Sequence, residues 1–126
     1  MEREIRYCTT RDGVHIAYAV EGSGPEIVVC PGFIESFSLE HLIPEEQAFT
    51  ERLGTGRRLV HYDMRGTGVS QREVEDLSPG GVLMDLEAVM DASGVEKPCL
   101  WASTISGPRA IEYAAAHPER LCGLIL

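Results

Sequence analysis

The sequence contains no apolar run approaching the roughly 20 residues of a membrane-spanning helix. Its start, Met1-Glu2-Arg3-Glu4, is charged and lacks the apolar stretch of a secretory signal. A cytoplasmic setting is therefore expected. Cationic residues are few: 11 Lys and Arg stand against 20 Asp and Glu, for a net charge of −9. Binding to a nucleic-acid backbone needs clustered cations that release counterions, and anionic membrane surfaces attract the same clusters. Neither nucleic acid nor a membrane is expected as a partner, and the acidic surplus reads as a solvating surface. Aromatic residues make up only 6%. The four cysteines, Cys8, Cys30, Cys99 and Cys122, show neither a C-x-x-C motif nor a metal-ligand spacing. They read as buried free thiols in a reducing compartment. Gly66 and Gly68 lack the third glycine of a dinucleotide fingerprint, so no metal or other cofactor is implied.

What is present suits a single α/β domain. The chain has 126 residues, 44% of them hydrophobic and 25% charged, with 13 glycines for tight turns. Residues 5–9 and 14–20 read as a hairpin around Asp12-Gly13. Residues 27–30 form a short apolar run that suits a strand buried on both faces and stops at Pro31-Gly32. Pro44 opens a helix to about Leu53, with Glu45 and Glu46 at its positive end. Residues 58–62 form a strand, and Ser78-Pro79 caps a helix that Gly94 stops. Residues 99–103 form a strand, 109–116 a helix closed by His117-Pro118, and Leu121 to Leu126 a final strand. This alternation predicts a mostly parallel sheet with helices on both faces and an antiparallel N-terminal hairpin.

Three segments carry chemistry. Asp63-Met64-Arg65-Gly66-Thr67-Gly68-Val69-Ser70 follows a strand, Val29-Cys30-Pro31-Gly32-Phe33 follows another, and Leu100-Trp101-Ala102-Ser103-Thr104-Ile105-Ser106-Gly107 joins a strand to a helix. Together they resemble the Asp-x-Arg-Gly-x-Gly-x-Ser turn, the oxyanion loop and the nucleophile elbow of α/β-hydrolases. The chain is most similar to the N-terminal half of that fold, as in hydrolase-like segments found alone or joined to adenylate cyclase and regulator domains. The resemblance implies a truncated three-layer sandwich, a pocket at Gly32, Ile34 and Ser103, and an oxyanion hole from the amides of Phe33 and Ile105.

The elbow departs from the family pattern. Ala102 and Ser106 stand where the motif G-x-S-x-G has glycines, and Thr104 stands in the nucleophile position. A β-branched residue is costly in the strained backbone of such a turn, although Thr is a nucleophile when a base adjoins it. In the family, the acid and the catalytic His follow the nucleophile, beyond the region present before Leu126. His15, His41, His61 and His117 read as structural, with His41 the one retained as a candidate. Asp63 and Arg65 read as the hydrogen-bonded frame of their turn, and Glu35, Glu45 and Glu46 as a solvated helix end.

The expectation is a hydrolase-like protein of weak or no activity. One alternative is an esterase using Thr104 with residues from a missing region or a partner chain. The other is a non-catalytic sensor or interaction module. A small ester or carboxylate is the expected ligand. Self-association is expected through the unprotected apolar edge at residues 121–126.

Overall fold

The computed structural model describes residues 3–32 and 35–126. Two strands, Arg6–Thr9 (β1) and His15–Gly22 (β2), pair antiparallel around a turn in which the Gly13 amide donates to the Thr10 carbonyl at 3.0 Å. Glu26–Cys30 (β3) leads through a 3-10 segment, Phe37–Leu42, into helix Pro44–Gly54 (α1). Strand Arg58–Tyr62 (β4), helix Pro79–Ala92 (α2), strand Cys99–Ala102 (β5), helix Ser106–Ala116 (α3) and strand Gly123–Ile125 (β6) follow. The strands form one sheet in the order β1-β2-β4-β3-β5-β6. β3, β4, β5 and β6 run parallel, and β1 and β2 form the antiparallel side. The mixed sheet and its N-terminal hairpin are as the residue pattern predicts.

Register builds the core. Val20, Val60, Val28, Leu100 and Leu124 are paired neighbours that cross five strands as one row. They meet Leu86, Val89 and Met90 of α2 and Ala110 and Tyr113 of α3 in a single apolar cluster. Alternation along each strand sends the next residues to the other face. There Ala19, His61, Val29, Trp101 and Ile125 form a second row. Phe37 stacks on His61 at 6.3 Å, and Phe49 of α1 meets Trp101 edge-on at 5.5 Å. Burial, with Arg3 nearby, pushes His61 down to about 4, so its ring is neutral at neutral pH.

The Asp63-to-Ser70 turn is anchored by buried charge. The Arg65 side chain is fully buried. Its Nε donates to Asp85 Oδ1 at 2.8 Å, and its two terminal nitrogens donate to the two Asp12 oxygens at 2.7 and 2.9 Å. Its backbone amide donates to Asp85 Oδ2 at 2.9 Å, so Asp85 is held at both oxygens. Burial tends to lower the Arg65 pKa, but the hydrogen bonds it donates to Asp12 and Asp85 outweigh this and hold the guanidinium above its ordinary range.

Three expectations need correction. The last strand covers Gly123–Ile125 rather than residues 121–126, because the Cys122 amide turns to the Pro98 carbonyl at 3.0 Å. Helix α3 starts at Ser106, three residues before the expected start. Its Pro108 lies in the first turn, where a helix lacks amide partners in any case. Cys30 is buried, but Cys122 is exposed, since it lies in the bend before β6. No helix among the described residues is long and apolar enough to cross a membrane.

Candidate functional site

β5 ends at Ala102, and α3 begins four residues later. The turn between them is closed by the Ser106 amide on the Ser103 carbonyl and the Gly107 amide on the Thr104 carbonyl, both at 3.1 Å. So tight a change of direction forces Thr104 to φ +49°. It is the one non-glycine residue with positive φ among the described residues. A β-branched side chain in this region costs on the order of 1–3 kcal/mol. Thr104 and Ile105 are exposed, Ser103 is half-buried and Ser106 is buried. The Ser106 hydroxyl donates to the Pro31 carbonyl and ties the elbow to the loop after β3. Ser106 stands at a glycine position of the motif, and its hydroxyl acts as a strut.

That loop approaches Thr104 closely. A Cβ built on Gly32 would lie 2.9 Å from Thr104 Oγ1, 2.6 Å from Glu35 Oε1 and 2.9 Å from the Glu35 carboxyl carbon. A side chain at Gly32 would therefore have to displace Glu35 and Thr104. The Gly32 amide donates to Glu35 Oε2 at 2.8 Å. One oxygen of Glu35 is thus held by the backbone while the other shares the space above Gly32 with the Thr104 hydroxyl. Sequence reasoning assigned Glu35 to a solvated helix end. The structure keeps it exposed but places its carboxylate over its own loop and near the elbow rather than at a helix end. The local signal was the spacing of a glycine amide and a carboxylate three residues apart after a strand. Phe33 and Ile34, expected in the oxyanion hole and pocket, lie outside the described residues.

The segment carrying Glu35 is fastened from below by Asp63. This fully buried carboxylate accepts from the Phe37 amide at 3.0 Å and from the Ser36 hydroxyl and Val69 amide at 2.9 Å each. Burial pushes its carboxyl above the ordinary range, against the pull of the hydrogen bonds from Val69, Ser36 and Phe37. Ser70 bridges the Asp63 carbonyl and the Ala17 amide, which locks the turn to β2. The expectation that Asp63 and Arg65 frame the turn agrees with these contacts.

The histidines have other surroundings. His15 Nδ1 lies 3.2 Å from Thr9 Oγ1, and His117 packs on Tyr113 at the end of α3. His41 lines a cavity of about 440 Å³ between α1 and the sheet, together with Arg3, Glu21, Glu40 and Gln47. Arg3 is paired there with both Glu21 and Glu40. Neither Gly32, Glu35 nor Thr104 borders that cavity. No group of three or more His, Cys, Asp or Glu among the described residues could hold a metal ion.

No protein-family model matches the chain. It is 33% identical over 124 residues to RutD of Caulobacter vibrioides, named as a carbamate hydrolase, covering 93% of this chain and 42% of that protein. It is 29% identical over 118 residues to bifunctional epoxide hydrolase 2 of Rattus norvegicus, covering 91% of this chain and 20% of that protein. The chain therefore spans less than half the length of these relatives. Among solved structures, a Vigna radiata epoxide hydrolase superposes with a TM-score of 0.75 at 28% identity, over 98% of this chain and 37% of that one. An α/β hydrolase from Novosphingobium aromaticivorans gives 0.80 at 27%, over 98% and 43%. A Pseudomonas aeruginosa hydrolase gives 0.83 at 21% identity, a likeness of fold.

Proposed function

We propose, from the premise that this chain carries part of the α/β-hydrolase fold, that it supplies the nucleophile side of a hydrolase-type site, and that its own turnover is slow. The observation that carries this reading is Thr104. It occupies the turn between β5 and α3 in a conformation L-residues rarely adopt, with its hydroxyl against the glycine loop that follows β3. Strained backbone concentrates at sites where function needs it. The slowness has a physical cause: a secondary hydroxyl on a β-branched carbon is crowded, and its rotamer is restricted.

The test is release of p-nitrophenol from p-nitrophenyl acetate with protein in excess. Thr104→Ala is expected to fall to the uncatalysed rate. Thr104→Ser, which keeps the hydroxyl and removes the branch, is expected to rise about tenfold, equivalent to ~1.4 kcal/mol off the barrier. Equal rates in all three proteins would sink the proposal. The names of the relatives put a carbamate and an epoxide beside the ester as substrates for the same assay.

A second reading follows from the sheet edge. Among the described residues β6 pairs with β5 alone, and Ile125 and Leu126 are 42% and 69% exposed. An apolar edge with unpaired backbone groups is a template for another strand. Antiparallel pairing of β6 with its copy in a second chain would join two sheets into one. Light scattering over a concentration series is expected to show a dimer that Ile125→Lys converts to monomer. A monomer at every concentration overturns this reading.

A further inference from the structure

We infer that Glu35 is the proton acceptor for Thr104, a role that rests on reading the elbow as a nucleophile site. Two observations converge on it. The Glu35 carboxylate, on an exposed residue, is oriented at one oxygen by the Gly32 amide at 2.8 Å. Its other oxygen and the Thr104 hydroxyl lie 2.6 and 2.9 Å from one point above Gly32. A threonine hydroxyl becomes nucleophilic when a base adjoins it, and this carboxylate is the acidic side chain that shares the space above Gly32 with the hydroxyl. Asp63 holds the residues that follow, Ser36 and Phe37, so the carboxylate is carried on a braced segment.

The chemistry balances without a cofactor. As Thr104 Oγ1 bonds to the carbonyl carbon of an ester, its proton passes to Glu35 and the C=O pair moves onto oxygen. Collapse restores the carbonyl and expels the alcohol or phenol oxygen, which takes the proton from Glu35 and leaves the carboxylate ionised again. Water then adds to the acyl carbon with Glu35 accepting its proton. The second collapse returns that proton to Thr104 Oγ1 and releases the acid.

The experiment is mass-spectrometric detection of the acetyl group on Thr104 after mixing with p-nitrophenyl acetate. Glu35→Gln keeps the shape and an acceptor oxygen for the Gly32 amide but cannot take a proton. It is expected to slow acetylation of Thr104 about a hundredfold, within the usual range for general-base catalysis. Glu35→Ala is expected to be slow and to recover partly with added formate, a small carboxylate that fits the vacated space. Acetylation of Glu35→Gln at the unsubstituted rate, or a Glu35→Ala variant that formate does not accelerate, overturns the role of Glu35 and leaves the elbow reading standing. Acetylation that never appears on Thr104, in the Thr104→Ser protein's equivalent position included, overturns both.

Discussion

Arg65→Met is expected to cost about 3–5 kcal/mol, the usual consequence of removing one partner from a buried ion pair. Natural domains are stable by roughly 5–15 kcal/mol, so the variant should lose a large share of its stability. The loss comes chiefly from Asp85. Both Arg65 and Asp85 side chains have no exposed surface. Without the guanidinium, Asp85 keeps only the Arg65 backbone amide as a partner from this pair. Asp12, which is partly exposed, falls back on water and on Thr10. Methionine fills the volume, so the cost is electrostatic rather than a cavity. The pH dependence provides a signature. Burial already pushes the Asp85 carboxyl up to about 6, above its ordinary 3.8. A raised carboxyl favours the folded state at low pH, and that contribution is lost as pH rises through the folded pKa. Removing the cation should raise it further, so Arg65→Met should be more stable at pH 5 than at pH 8. Urea unfolding at the two pH values checks both statements, and Arg65→Met/Asp85→Leu should regain part of the stability. A loss below about 1 kcal/mol, as for an exposed pair, would contradict the account.

Gly68→Ala should be nearly as damaging and should also disable the candidate site. Gly68 has φ +54°, and an added Cβ would sit 1.9 Å from Asp63 Oδ2 and 2.6 Å from the Ser36 hydroxyl. The methyl group cannot enter unless Asp63 moves. Asp63 cannot move without releasing the Ser36 hydroxyl and the Phe37 and Val69 amides. Each buried group left unpaired costs about 1–3 kcal/mol, so a total of about 3 kcal/mol or more is expected. Ser36 and Phe37 follow Glu35 directly, so the carboxylate beside Thr104 should lose its position as well. Gly66→Ala is the matched control. Its φ is +78°, but the nearest atom, Leu77 Cδ2, is 3.4 Å away. Conformational strain alone, about 1 kcal/mol, should be felt there, with acetylation of Thr104 unchanged. Thermal melts and the acetylation assay on both variants separate the two effects. Equal behaviour of the two would contradict the argument.

The sequence carried the fold wherever local chemistry dictates it. Asp12-Gly13 marks the hairpin, and Ser78-Pro79 marks the start of α2, where the Ser78 hydroxyl accepts from the Gly81 amide. The strained elbow was legible too, because a strand running straight into a helix leaves one residue little choice of backbone angle. The partners of the buried charges were not. Arg65 lies 20 residues from Asp85 and 53 from Asp12, and no local pattern links them. Glu35 was misread for another reason. Grouped with Glu45 and Glu46 it resembles a helix end, and the Gly-to-Glu spacing that returns its carboxylate to the Gly32 amide was passed over. The start of α3 was missed because Gly107-Pro108 reads as a break, yet a first helical turn accepts proline.

The strand order has a consequence for local opening. β3 lies between β4 and β5, so releasing it breaks two ladders at once and exposes Val28 at the centre of the apolar row. β6 is three residues long and is held along one side. Amide hydrogens in β3 and β4 should therefore exchange with solvent only when the whole domain unfolds, and those of β6 through a small fraying that leaves the centre intact. Thr104, in the turn that follows β5, sits where these two regimes meet, one strand in from the edge that opens first.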